Sequence, residues 1–173
     1  MLPDGRRTMT SSTDAVRKLE EPFVPADFVV PDRLATDQFR LEPLGPQHNT
    51  RDYAAWSSSI EHILATPGFD SGWPYEMTLD DNRRDLERHA EDFADRVGFT
   101  YTVLEPEGDA VVGCVYIYPS DYGTHAARVK SWVRADCAEL DVPLWRTVSE
   151  WLASAWPFAR VDYAARSIAD SDE

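Results

Sequence analysis

The residues of this chain best suited to moving a proton fall in one run of its second half. Tyr116 and Tyr118 alternate along YIYP, Asp121 and Tyr122 follow, and His125 closes the run. A phenol, carboxylate or imidazole near the ends of adjacent strands can take a proton from an attacking amine or return one to a leaving group. Tyr116, Tyr118 and His125 are therefore the candidate catalytic residues, although a turn histidine such as His125 is also an ordinary surface group. A second stretch, WVRADCAELDVPLWRTVSEWL (132–152), reads as a strand that ends, a short loop and a helix that begins. Such a junction can hold a phosphate, because a helix N-terminus presents unpaired N–H groups and about half a positive charge. Phosphate loops usually carry glycine so that the backbone can come close. This one carries Asp136, Glu139 and Asp141 instead. A carboxylate about 6 Å from a phosphate charge costs about 0.7 kcal/mol in water and about 3 kcal/mol at an effective dielectric near 20. The acids are expected to satisfy the helix terminus themselves, with Asp141 as its cap.

A third group is aromatic. Phe69, Trp73 and Tyr75 lie in the loop PGFDSGWPYEM (67–77), and Trp56 lies on the helix before it. Their ring faces suit a cation, and the bland alternative is that they pack the N-terminal arm. Other chemistries lack their motifs. Cys114 and Cys137 have no metal-ligand spacing with each other or with a histidine, so no metal site is expected. His48, His62 and His89 are scattered, and the spacing puts His89 on a polar helix face. There is no phosphate loop, dinucleotide fingerprint or nucleophile elbow.

The chain must position these groups with a single domain, since it has 173 residues. Its net charge of −14 excludes nucleic acid as a partner and leaves room for cationic ligands such as amines. No apolar stretch is long enough for a membrane span. Arg6-Arg7 is followed by no apolar segment, so it is not read as an export signal. Two cysteines without a pairing pattern fit a reducing cytoplasm.

Residues 1–20 are polar and aperiodic and predict a disordered tail. Residues 21–37 mix prolines with Phe23, Phe28, Val29 and Val30 and predict an extended arm on the domain. The domain itself is expected over 38–166, with a tail over 167–173. Residues 38–44 read as a strand, and 47–66 as one helix. Thr78 opens a second helix with acids at 80 and 81, and Gly98 stops it. Residues 99–105 and 110–119 read as a hairpin, and 126–134 as a third adjoining strand. A helix over 143–156, with Pro143 in its first turn, leads through a right-handed crossover to a strand at 159–165. The expected fold class is α+β, a mixed and mostly antiparallel sheet with helices on both faces.

This order resembles the GCN5-related N-acetyltransferase superfamily. LATDQFRLEPLGPQH (34–48) is similar to the opening of its ribosomal-protein-acetyltransferase branch. The hairpin 99–119, with Gly113 in its second strand, resembles the family's central hairpin. Strand 126–134, helix 143–156 and strand 159–165 take the places of its fourth strand, third helix and fifth strand. The resemblance covers about residues 34 to 166 and implies acetyl-CoA as cofactor, no metal, and an amine substrate, either a small molecule or a peptide N-terminus. It implies that coenzyme A would lie along the strand-four backbone at Trp132, Val133 and Arg134, where strands four and five part. The substrate would face Trp56, Phe69, Trp73 and Tyr75. The chain departs from the family in two ways: no glycine follows Gly123, and the family's last helix and strands have no counterpart. Two readings follow: an acetyl-CoA-dependent N-acetyltransferase acting on an amine, or a non-catalytic binding or interaction module that has lost coenzyme A. The shortened end also leaves strand 159–165 at an edge with Trp151 and Trp156 beside it. A homodimer burying that edge or that tryptophan face is expected.

Overall fold

The computed structural model describes residues 22–70, 72–123 and 125–168. The tail expected over 1–20 lies outside the described residues, as does most of the one expected over 167–173. Six strands form one sheet in chain order: β1 (Leu34–Ala35), β2 (Arg40–Pro43), β3 (Phe99–Leu104), β4 (Val111–Pro119), β5 (Ala126–Val133) and β6 (Arg160–Tyr163). All neighbours are antiparallel except β5 and β6, which run parallel. That parallel pair requires a crossover, and α4 (Asp141–Ala155) supplies it. Helices α1 (Asn49–Ser57), α2 (Ile60–Leu64) and α3 (Leu79–Ala94) lie between β2 and β3. The fold is the mixed α+β sheet that the sequence predicts.

Alternation along the strands divides the core in two. On one face Phe99, Tyr101, Val115, Ile117 and Val129 meet Leu144, Val148, Trp151 and Leu152 of α4. On the other, Leu104, Cys114 and Trp132 meet Trp56, Ile63 and Leu86 of α1, α2 and α3. All six residues of β3 are buried because both faces are covered, and its β-branched and aromatic residues FTYTVL suit that place.

Between Val103 and Leu104 the register with β4 shifts, so that Val103 pairs with Gly113 and Leu104 with Val111. Val112 is the extra residue of a β-bulge. A Cβ on Gly113 would stand 2.3 Å from the Trp132 carbonyl oxygen of β5, and a backbone atom in a central sheet cannot yield. Gly113→Ala is therefore expected to lower the unfolding free energy by about 2 kcal/mol, through displaced backbone at the strand pair. Chemical denaturation measures it, and a loss below about 0.5 kcal/mol would mean that the sheet adjusts freely.

Three local expectations are corrected. The single helix expected over 47–66 is a 3-10 turn (Pro46–His48) followed by α1 and α2. It breaks at Ser58-Ser59: Ser58 Oγ donates to the Ala55 carbonyl and Ser59 leaves helical geometry, while its hydroxyl accepts from the Ala135 amide at 2.9 Å. The second helix ends not at Gly98 but through Arg96, which takes the left-handed conformation at φ 60°. Gly98 serves packing instead, since a Cβ there would meet the Tyr118 ring at 2.3 Å. Third, the tryptophan face is not open. Phe28 packs 5.5 Å from Trp156 and Phe158 also stacks on it, so that Trp151 and Trp156 are buried within the chain. The segment from residue 22 to β1 is pinned by Arg96, which donates to the Pro25 and Phe28 carbonyls, and by Tyr101, which donates to Pro31.

Candidate functional site

Tyr116 and Tyr118 project from the sheet face that meets α1 and α3. Trp132 Nε1 donates to the Tyr116 hydroxyl at 3.0 Å, and the Tyr118 hydroxyl donates to Asp92 at 2.8 Å. The same Tyr118 oxygen lies 2.8 Å from His89 Nδ1, which is also 2.9 Å from Thr100 Oγ1. A phenol has one proton, so with that proton on Asp92 the Tyr118–His89 bond takes its proton from Nδ1. Asp85 stands 3.5 Å from His89 Nε2. Burial pushes both phenols above their ordinary range, so near neutrality they can give a proton but not take one. His89, expected on a polar face, is buried at the centre of this cluster. Its place three residues after Leu86 sets it on that leucine's buried stripe, a spacing from which its burial was legible.

His125 is not with the tyrosines. It takes a φ of 56°, and its Nδ1 lies 3.3 Å from the Phe23 carbonyl, to which it donates. Its own carbonyl accepts from Ala159, so it ties the N-terminal segment and the entry to β6 together. His48 also closes a local turn, through Gly45 N and Glu42.

Beside His89 lies a buried amide and carboxylate group that sequence reasoning missed. Asn82 of α3 donates to Asn49 Oδ1 at 2.8 Å and to Asp52 Oδ2 at 3.0 Å, and accepts from Trp56 Nε1 at 3.0 Å. One side-chain amide thereby uses its two donors and its acceptor to fasten α1 to α3. Asp52 is pushed up from 3.8 to about 6, by burial against the opposing hydrogen bond from Asn82. The signal was available: Asn49, Asp52 and Trp56 share a helix face at i, i+3 and i+7.

The aromatic residues pack on one another. Trp73 lies 5.8 Å from Trp56, 6.0 Å from Phe69, 6.3 Å from Tyr116 and 6.3 Å from Trp132. Trp56, Phe69 and Trp132 are buried and Trp73 is half-buried. The cation over Phe69 is the chain's own Lys130, 5.7 Å from the ring centre. Tyr75 stands apart, exposed beside a groove of about 510 Å³ lined by Met77, Asp81, Asp85 and Arg88.

The acidic loop before α4 is a 3-10 segment, Ala135–Leu140. Arg134 folds onto it, donating through Nε and Nη2 to both oxygens of Asp136 at 2.8 and 3.1 Å. Val133 is buried against α4's side of the sheet. Asp141, expected as a cap, makes no cap bond at the start of α4. Its carboxylate instead receives Arg166 Nε at 2.8 Å. Arg166 is a buried residue, and its guanidinium also donates to the carbonyls of Ser131 at 2.9 Å and Ala164 at 2.8 Å. The pairing of β5 with β6 ends at Val129 and Tyr163, so this side chain fills the wedge where the two strands part. Ser131 Oγ and the Tyr163 hydroxyl bond beside it, and burial pushes that phenol up to about 12.

No family model matches the sequence, and no curated protein does. Solved structures do match. The candidate ribosomal-protein-serine acetyltransferase of Vibrio cholerae superposes with a TM-score of 0.56 at 12% identity, over 72% of this chain and 70% of that one. The ribosomal-protein-S5-alanine acetyltransferase of Vibrio fischeri gives 0.55 at 12% identity, over 71% and 68%. The microcin C7 self-immunity acetyltransferase MccE, solved with acetyl-CoA and AMP, gives 0.52 at 14% identity, over 70% and 66%. This chain has the GCN5-related N-acetyltransferase fold. In that fold's terms β5 is the fourth strand, the wedge holding Arg166 is the parting of strands four and five, and Ala135–Leu140 stands where the resemblance sets a phosphate loop. The residues present fit a coenzyme poorly at each place. The loop has no glycine and turns Asp136 onto Arg134, and the Ser131 carbonyl of β5 is taken by Arg166. Among the described residues no group of three His, Cys, Asp or Glu side chains is placed to hold a metal ion, and no helix is long and apolar enough to cross a membrane.

Proposed function

We propose that this chain works as a non-catalytic interaction module on the acetyltransferase fold, one that does not hold coenzyme A in the family's way. The Arg166 side chain carries this reading. In the family the pantetheine arm pairs with strand-four backbone where strands four and five part. Here that backbone bonds to a guanidinium that is also paired with Asp141. Coenzyme binding would have to expel a buried cation and leave Asp141 without its partner, which costs several kcal/mol. The module suits a reducing compartment, the cytoplasm, because both cysteines are free thiols.

The competing reading is an acetyl-CoA-dependent N-acetyltransferase acting on an amine or a peptide N-terminus. Tyr116 and Tyr118 favour it, being held in the protonated form that a general acid needs. Calorimetric titration with acetyl-CoA separates the two. The expected result is binding weaker than about 1 mM, and a dissociation constant in the low micromolar range would reverse the choice. Asp136→Gly with Glu139→Gly is expected to leave that affinity unchanged, because Asp136 is turned onto Arg134 and not toward a phosphate.

A further inference from the structure

We propose that β6 seats a second copy of this chain, paired antiparallel about a two-fold axis through Val161. Among the described residues β6 has β5 as its single strand neighbour. The Ala159 amide donates to the His125 carbonyl on the β5 side. On β5 the Ala126 carbonyl accepts from Ser120 on the β4 side, so Ala127 and Val129 turn their backbone groups to β6; a residue of a parallel pair bonds the two that flank its partner, and with Ala127 opposite Val161 these are Arg160 and Asp162. Val161, between them, directs its N–H and C=O outward, away from the sheet.

An antiparallel copy centred on Val161 sets Arg160 opposite Asp162 of the second copy, and Asp162 opposite its Arg160. In this register the two Val161 residues form the hydrogen-bonded pair and exchange two N–H···O bonds at the centre of the seam, and the Arg160–Asp162 pairs on either side are of the close, non-hydrogen-bonded kind. The side chains of Arg160 and Asp162 lie on one sheet face, so each opposed pair is also a positive against a negative charge. A two-fold interface must be self-complementary, and a strand reading plus, apolar, minus about its centre meets that condition with itself. A peptide of uniform charge would match one of the two residues and oppose the other.

Both side chains are already held. Arg160 Nε lies 3.2 Å from Asp162 Oδ1 and its guanidinium 4.7 Å from the Tyr122 ring centre, while Ser120 Oγ donates to Asp162 Oδ2 at 3.1 Å. Less side-chain freedom is therefore lost on association. No proline or lysine within Arg160–Tyr163 blocks pairing. The net charge of −14 opposes self-association at low salt, and about 0.15 M salt screens it beyond roughly 8 Å while leaving the seam contacts intact. This inference goes beyond the coenzyme reading and stands whether or not acetyl-CoA binds.

Sedimentation equilibrium of the full chain tests it, over about 5 to 200 μM, where a short seam of micromolar affinity shows. A monomer–dimer equilibrium is expected. Arg160→Asp and Asp162→Arg are each expected to weaken it about tenfold, because both symmetry-related pairs become like charges, and the double swap restores it to within about threefold. In a second arm, Val161→Cys is made in a Cys137→Ser background. The two Val161 positions form the hydrogen-bonded pair with Cα atoms about 5.5 Å apart, within disulfide reach. Mild oxidation is expected to give a covalent dimer, while Ala153→Cys on the exposed side of α4 gives none. A monomer throughout with no cross-link overturns the proposal, and so does a dimer that neither charge reversal shifts.

Discussion

Replacing Arg166 with alanine is expected to lower the unfolding free energy by about 3 kcal/mol, at the low end of the range for breaking a buried ion pair from one side. The guanidinium meets Asp141 and the carbonyls of Ser131 and Ala164, and its side chain is 2% exposed. Removing it strands the Ser131 carbonyl and leaves the Asp141 carboxylate, 20% exposed, without its cation. That residual exposure and the positive end of α4 soften the loss, which is why the low end applies. Arg166→Lys keeps the charge but offers one compact ammonium where a fork of donors is needed, so it recovers less than half of the loss. Denaturant titration of the three proteins at two salt concentrations measures this. A loss for alanine below about 1 kcal/mol, or one abolished by salt, would show a surface pair and not a wedge that fastens β5, β6 and α4. The alanine variant is also expected to remain unable to bind acetyl-CoA tightly, because the loop still lacks the glycine amides that a pyrophosphate needs.

Asp52→Asn is expected to remove a pH dependence from this protein's stability. The Asp52 carboxyl ionises at about 6 in the folded chain against 3.8 for an unperturbed aspartate, with burial as the main cause and Asp85 adding to it, against the Asn82 bond, His89 and His48, which lower it. A raised folded value means that the proton is bound more tightly in the folded state. The contribution is thus fully present below about pH 3.8 and is lost as pH rises through about 6. The shift of roughly two units corresponds to about 3 kcal/mol. Asparagine presents the same oxygen to Asn82 and carries no charge. At pH 7 the variant should therefore be more stable than the parent by up to about 3 kcal/mol, with the gap closing toward pH 4. Equal stability of the two proteins at pH 7 would place Asp52 in contact with water and sink the assignment. A stabilising change inside a helix interface would also mark Asp52 as a residue kept at a cost in stability.

The local sequence determined where strands and helices lie and how the sheet faces divide. FTYTVL, Thr78 with Asp81, and the apolar stripe on α4 each act over a few residues, where alternation and helical spacing speak directly. Local chemistry misleads where two rules compete: Gly98 reads as a helix stop but serves the Tyr118 ring, and the hydroxyls at Ser58 and Ser59 break what the periodicity joins. The tertiary structure alone decided where Arg166 and His125 stand. Arg166 stands in sequence as one arginine after a short strand, with no spacing to mark it as buried. Its partners Asp141 and Ser131 are 25 and 35 residues away, and they meet it only because the α4 crossover brings β6 alongside β5. His125 likewise reads as a neighbour of Tyr118, yet its left-handed backbone turns it to the Phe23 carbonyl, 102 residues away in the chain. Charge pairing and burial at a site depend on distance in space, and for Arg166 this chain sets those distances through the parallel pairing of its last two strands.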